Sequence, residues 1–176
     1  MLLYDNELSG NCYKIRLLFA QLGIDYTREE VDVFDRADRE KVLGGVNPGL
    51  RIPTVLHLPE DAFQRARVLQ WQFFEQYSHE PNIAVARFWA HAGIKPSPEV
   101  LEDKLRGGHA ALKALDRHLV EREFVVDDHY TVADISLYAY THVAPEGGFG
   151  LESYPAVRAW LERVAAQPGH VPIRAG

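Results

Sequence analysis

The alternation of hydrophobic and polar positions changes character near Pro59. Before it, Leu2, Leu3 and Tyr4 form a short apolar run closed by Asp5, Asn6 and Glu7, which predicts a strand. Ile15, Leu18, Phe19 and Leu22 then recur at helical spacing, and Gly23 supplies a stop. Residues 26–33 mix β-formers with charges and predict a second strand with one face exposed. Residues 36–43 predict a short helix ended by Gly44 and Gly45, Asn47-Pro48-Gly49 a turn, and residues 54–58 a third strand. The order β-α-β-α-β points to a small layered α/β unit.

Beyond Pro59 the pattern is helical throughout. Phe63, Ala66, Leu69, Phe73 and Tyr77 fall on one stripe of a helix that Pro81 is expected to interrupt before residues 83–92 resume it. Ser97-Pro98-Glu99 combines a capping serine, proline at the first helical position and an acid in the first turn. Leu101, Leu105, Leu112, Leu115 and Leu119 follow along that helix. Residues 132–144 are apolar on most sides, which predicts a central buried helix. Val157, Trp160, Leu161, Val164 and Ala165 form the stripe of a last amphipathic helix. No internal repeat or low-complexity tract is present in the sequence.

Composition narrows the class. The 176 residues are 47% hydrophobic and 25% charged, an ordinary globular balance that excludes disorder, collagen and a disulfide-built miniature fold. A net charge of −6 argues against a wide nucleic-acid surface. The single cysteine cannot form an internal disulfide or a multi-cysteine zinc site, and a reducing compartment is compatible with it. The first residues lack a basic segment followed by a long apolar one, and no apolar run approaches the ~20 residues of a membrane helix. The expectation is a soluble, cytoplasmic protein without membrane or nucleic-acid partners.

Three segments stand out for their chemistry. Ser9-Gly10-Asn11-Cys12 lies between the first strand and the first helix, where backbone N–H groups favour anions. A serine there can donate its hydroxyl to a bound thiolate. Lowering a thiol pKa by two units requires about 2.7 kcal/mol. One hydrogen bond to a charged group contributes about 1.5–3 kcal/mol and the helix end about 0.3–2 kcal/mol, so one serine suffices in principle. The plainer alternative is that Ser9 only caps the helix. Cys12 is either a reactive thiol at the helix start or a buried free cysteine. Ile52-Pro53 sits at the start of a strand; a cis bond there would leave the Ile52 backbone free to pair with an extended peptide-like ligand, a trans bond would not. Thr131-Val132-Ala133-Asp134 has the form of a capping box and is a stability feature.

The remaining candidates are weaker. The eight histidines contain no HExxH and no close pair, and His79-Glu80-Pro81 reads as a helix junction, so no metal site is expected. There is no nucleophile elbow, phosphate-binding loop or dinucleotide fingerprint. Trp71, Phe74, Tyr77, Phe88 and Trp89 read as core or interhelical packing, or as the lining of an apolar cleft.

Taken in order, these segments resemble the cytosolic glutathione transferases. Leu2-Leu3-Tyr4, Ser9-Gly10-Asn11 and Lys14-Ile15-Arg16-Leu17 look like that family's first strand, catalytic loop and first helix. Asn47-Pro48 with Ile52-Pro53-Thr54 is similar to the segment around its cis-proline. Residues 67–77, continuing to Trp89, resemble the first all-helical segment of bacterial members. Thr131-Val132-Ala133-Asp134-Ile135 resembles the capping box before the family's buried helix, and residues 154–160 its closing helix. The resemblance implies an α/β thioredoxin-like N-terminal domain over residues 1–58 and an all-α C-terminal domain over residues 59–176. It also implies a homodimer, glutathione as cosubstrate and a small electrophile as second substrate. Carried onto this sequence, Ser9 stabilises the glutathione thiolate and Asn11 is a second polar contact near the sulfur. Ile52 pairs by its backbone with the cysteinyl part of glutathione, and Pro53 is cis. Tyr77, Phe88 and Trp89 hold the apolar part of the electrophile. Two other functions fit the same resemblance: glutathione-dependent disulfide reduction, and a non-catalytic binding or dimerisation module.

One departure stands out. After the third strand the family continues with a further strand and with an acidic residue and serine opening a helix, which hold the γ-glutamyl end of glutathione. Here Val55-Leu56-His57-Leu58 runs directly into Pro59-Glu60-Asp61-Ala62 and the long helix. A turn, strand and helix of roughly 20–25 residues are missing. Either the segment belongs to the molecule and is lost from this sequence, as the family-like junction Leu58-Pro59-Glu60-Asp61 favours, or the deletion is real and weakens glutathione binding.

Overall fold

The structure is a computed structural model that describes residues 2–32, 62–126 and 129–173. The predicted helix at 36–43, the strand at 54–58, Ile52, Pro53 and the junction at 54–61 lie outside the described residues. The chain divides into two compact units.

The first unit opens with a βαβ arrangement. Strand β1 (Leu2–Asp5) runs parallel to β2 (Thr27–Glu30), with Leu3 opposite Arg28 and Asp5 opposite Glu30. Helix α1 (Gly10–Leu22) makes the crossover that a parallel pair requires. Its start is fixed by Ser9, whose extended backbone and side-chain oxygen cap the Cys12 N–H. Its end is fixed by Gly23 at φ 63°, a left-handed conformation that glycine adopts at little cost. The core of this unit joins Leu3, Ile15 and Phe19, with Ile24 and Tyr26 packed against them. Phe19 and Tyr26 meet edge to face at 5.3 Å. Residues 168–173 also belong to this unit.

The second unit is helical. Helix α2 (Ala62–Phe74) passes through a π-helical turn (Glu75–His79) into α3 (Glu80–Ala92). The expected interruption at Pro81 is therefore absorbed rather than made. Proline has no N–H and its ring crowds the carbonyl four residues back. The widened turn accommodates this, and the Glu80 N–H reaches back five residues to the Glu75 carbonyl. His79 is fully buried in that turn, its Nε2 2.9 Å from Thr141 Oγ1. The threonine proton is committed to the Leu137 carbonyl at 2.7 Å, so the histidine nitrogen donates to the threonine.

Helix α4 (Pro98–Leu119) starts at the expected Ser97 cap, and α5 (Val132–Thr141) buries nine of its ten residues. Asp134 anchors α5. Its carboxylate accepts from the Thr131 N–H at 2.9 Å, the Val125 N–H at 3.0 Å and Trp160 Nε1 at 2.9 Å. Trp160 comes from α6 (Pro155–Ala165), so one carboxylate joins a cap, a loop and a second helix. A 3₁₀ turn (Ala144–Gly147) follows α5, and Gly147 lets it approach α3: a Cβ there would stand 2.8 Å from the Arg87 backbone nitrogen. No helix among the described residues is long and apolar enough to cross a membrane.

Candidate functional site

The loop between β1 and α1 is built by its own backbone before any ligand enters. The Asn6 carbonyl accepts from the Ser9 N–H at 3.1 Å, and Asn6 Oδ1 accepts from the Leu8 N–H at 3.1 Å. Asn6 Nδ2 donates to the Val31 carbonyl at 3.0 Å, tying the loop to the end of β2. Ser9 is thereby delivered, half-buried, to the first turn of α1.

Ser9 Oγ accepts from the Cys12 N–H at 3.3 Å. The two readings of this serine are therefore compatible. Capping uses an acceptor site of the hydroxyl, and its proton is still able to donate to an anion. Two residues on, Asn11 is also half-buried; its Oδ1 accepts from Lys14 Nζ at 2.8 Å, so its amide nitrogen is the group able to donate outward. A hydroxyl, an amide and an ammonium thus gather around the positive end of α1, an arrangement that suits a soft anion.

Cys12 takes the plainer of its two readings. It is buried, and burial pushes its thiol above the ordinary value despite the bond from Ser9. A neutral buried thiol is not a nucleophile.

Beneath the loop lies a charged pair that the sequence pattern did not single out. Asp5 and Arg16 are both buried, and Arg16 Nη1 binds Asp5 Oδ1. Arg28 Nε lies 2.5 Å from the other oxygen, Asp5 Oδ2. The available signal was an arginine inside an otherwise apolar stretch of α1, Ile15-Arg16-Leu17-Leu18-Phe19.

The expected apolar pocket residues are not assembled by packing. Tyr77 is 87% exposed and Phe88 41% exposed, which corrects the reading of these two as core. Trp89 is half-buried on α3. Trp71 does pack, edge to face on Phe74 at 5.1 Å and against His118 at 4.5 Å. Ile52 and Pro53 lie outside the described residues. No group of three or more metal-ligating side chains occurs among the described residues.

Comparison with known proteins follows the same lines. The pattern of the glutathione S-transferase C-terminal domain matches residues 73–168. A crystal structure of a glutathione S-transferase from Pseudomonas fluorescens superposes with a TM-score of 0.88 at 40% identity, covering 98% of both chains. A second family member from that organism, solved with two glutathione molecules bound, has the same fold at 22% identity and a TM-score of 0.80, over 96% of this chain and 89% of its own. The Escherichia coli disulfide-bond oxidoreductase YfcG is 21% identical over 187 residues, 90% of this chain and 87% of its own. Ninety per cent of 176 residues is about 158, so roughly 29 positions in that alignment have no counterpart in this chain. With its helical half matched as a domain and its βαβ unit in the place of the thioredoxin-like half, the chain belongs to the glutathione S-transferase family.

Proposed function

We infer that this protein is a glutathione transferase, in which Ser9 keeps the glutathione thiol ionised for attack on a small electrophile. The observation that carries this reading is the position of the Ser9 hydroxyl at the cap of α1, with its acceptor side occupied by the Cys12 N–H. In the reaction the thiol proton leaves to solvent and the Ser9 O–H and the helix start hold the thiolate. The sulfur lone pair then forms the new bond to the electrophilic carbon as that carbon's leaving group departs with the electron pair of the bond that breaks. Asn11 adds a polar contact from its amide nitrogen. Ile52 and Pro53 are the proposed backbone contact to the cysteinyl part of glutathione, and Tyr77, Phe88 and Trp89 the proposed support for the electrophile. The exposed row of Phe63, Leu69, Phe73 and Tyr77 on the α2 side is consistent with a homodimer. The test is conjugation of a model electrophile by wild type and Ser9→Ala. The rate should fall by about tenfold or more, the loss of one charge-assisted hydrogen bond. An unchanged rate would remove Ser9 from the mechanism.

The similarity to YfcG favours a second reaction, reduction of a small disulfide. The buried Cys12 excludes a protein thiol from that cycle, so two glutathione molecules would supply the electrons. The first thiolate attacks one sulfur and expels the other, which leaves as a thiol; the second attacks the glutathione sulfur of the mixed disulfide, so the remaining substrate sulfur also leaves as a thiol and oxidised glutathione is released. Assaying disulfide reduction beside conjugation, with the same Ser9→Ala variant, separates the two reactions.

A further inference from the structure

The first unit contains a network that the thiolate chemistry does not use. Residues 168–173 lie along α1 and are fastened to it at three points. At the first, Gly169 has φ +72°, and a Cβ there would stand 2.9 Å from both the Ala20 carbonyl oxygen and the Gln21 Cα. Only glycine fits both that conformation and that approach. At the second, Tyr13 Oη donates to the Val171 carbonyl at 2.8 Å and lies 3.3 Å from His170 Nε2. With the phenol proton committed to Val171, the histidine nitrogen is the donor to Tyr13. At the third, Arg16 Nη2 donates to the Ile173 carbonyl at 2.8 Å.

The same guanidinium also holds the loop that carries Ser9. Arg16 Nη1 binds the Asp5 carboxylate and donates to the Asn6 carbonyl at 3.2 Å. Arg16 Nη2 donates to the Glu7 carbonyl at 3.2 Å. The Asn6 carbonyl is the group that receives the Ser9 N–H. One buried, planar side chain therefore spans the end of β1, the loop and the segment after α6, four oxygens that a point charge could not reach together. Its guanidinium sits 5.8 Å from the Tyr13 ring centroid, so the second and third fastenings brace each other.

We propose that residues 168–173 position the Ser9 hydroxyl, with Arg16 as the positioning residue that connects them to the loop. This rests on the assignment of Ser9 to the glutathione thiolate. Displacing the segment withdraws one of the ligands that orient the guanidinium, the Asn6 and Glu7 carbonyls lose their fixed donor, and Ser9 loses its aim. Three of the guanidinium's four bonds end on backbone carbonyls, which is why no side-chain motif in the sequence announces them.

The test uses the full chain with two variants. Gly169→Val pushes the segment off α1, and Arg16→Lys keeps a positive charge beside Asp5 but cannot bridge the three segments. Tyr13→Phe, which removes only the phenol's bonds, is the milder displacement if the valine variant does not fold. Amide hydrogen exchange at residues 7–9 and the pKa of bound glutathione are measured in each. Each variant should speed exchange by about tenfold, raise the bound thiol's pKa and lower kcat with KM within about twofold. The Gly169→Val, Arg16→Lys double variant should be no worse than the stronger single one, because both act through one link. Unchanged exchange at residues 7–9, or fully additive effects, would overturn the proposal. The exchange readout does not depend on Ser9 touching glutathione. If Ser9→Ala leaves the bound thiol's pKa unchanged, the thiolate assignment fails while the link between segment and loop is still judged.

Discussion

Cys12 and Ser9 lie three residues apart and have opposite fates for one reason, access. The helix start that favours an anion acts on both, but Cys12 points into the core and burial outweighs the bond that Ser9 offers it. Because its pKa is raised above 9.0, Cys12 is a neutral thiol at neutral pH. It should resist alkylation in the folded protein and react once denaturant is added, as mass spectrometry of the labelled chain would show; rapid labelling of the native protein would contradict this. A second residue-scale contrast is Glu146. Burial pushes its pKa up, but bonds from His91 and Arg87 at 2.7 and 2.6 Å prevail and hold it below the ordinary glutamate value of 4.5. A folded pKa lower than the unfolded one gives stability that is complete above the unfolded value and is lost as the pH falls through the folded one. The melting-temperature gap between wild type and Glu146→Gln should therefore be widest near neutrality and close below pH 4.5; a gap independent of pH would sink the assignment.

At the scale of elements, helix ends were the most legible part of the sequence. Ser9, Ser97 and Thr131 cap α1, α4 and α5, and Gly23 closes α1, because a cap depends on one side chain and its immediate neighbours. Thr131 Oγ1 accepts from the Ala133 N–H at 3.2 Å, and Thr131→Ala should cost about 0.5–2 kcal/mol of unfolding free energy in a denaturant titration. No measurable change would mean that Asp134 alone holds the start of α5. Pro81 was misread because proline rules describe the interior of an α-helix, and here it falls in the first turn of α3, directly after a π-helical turn. The buried pair of Asp5 and Arg16 was equally hidden: eleven residues separate the partners, and only the βαβ crossover brings them together. Tyr77 and Phe88 share an apolar look with the core, and periodicity alone does not say which stripe finds a neighbour.

For the molecule as a whole, the return of residues 168–173 to the first unit was not legible in the sequence, since it rests on a glycine and on backbone carbonyls. The departure after Leu58 was visible only against the family pattern, because no residue inside the sequence marks it. The large apolar residues left outside on the α2 side, Phe63 at 69% and Phe73 at 71% exposure, are costly in a lone chain. Sedimentation velocity should give a dimer for wild type and a monomer for Phe73→Glu, Tyr77→Glu; a monomeric wild type would leave the exposed row unexplained.

The central claim concerns one hydroxyl and one sulfur. Titrating the thiolate absorbance of glutathione bound to wild type and to Ser9→Ala measures it directly. The bound thiol should ionise below its free value in wild type, and the alanine variant should raise that pKa by about 1–2 units, the equivalent of one hydrogen bond to a charged group. Superimposable titration curves for the two proteins would contradict the account.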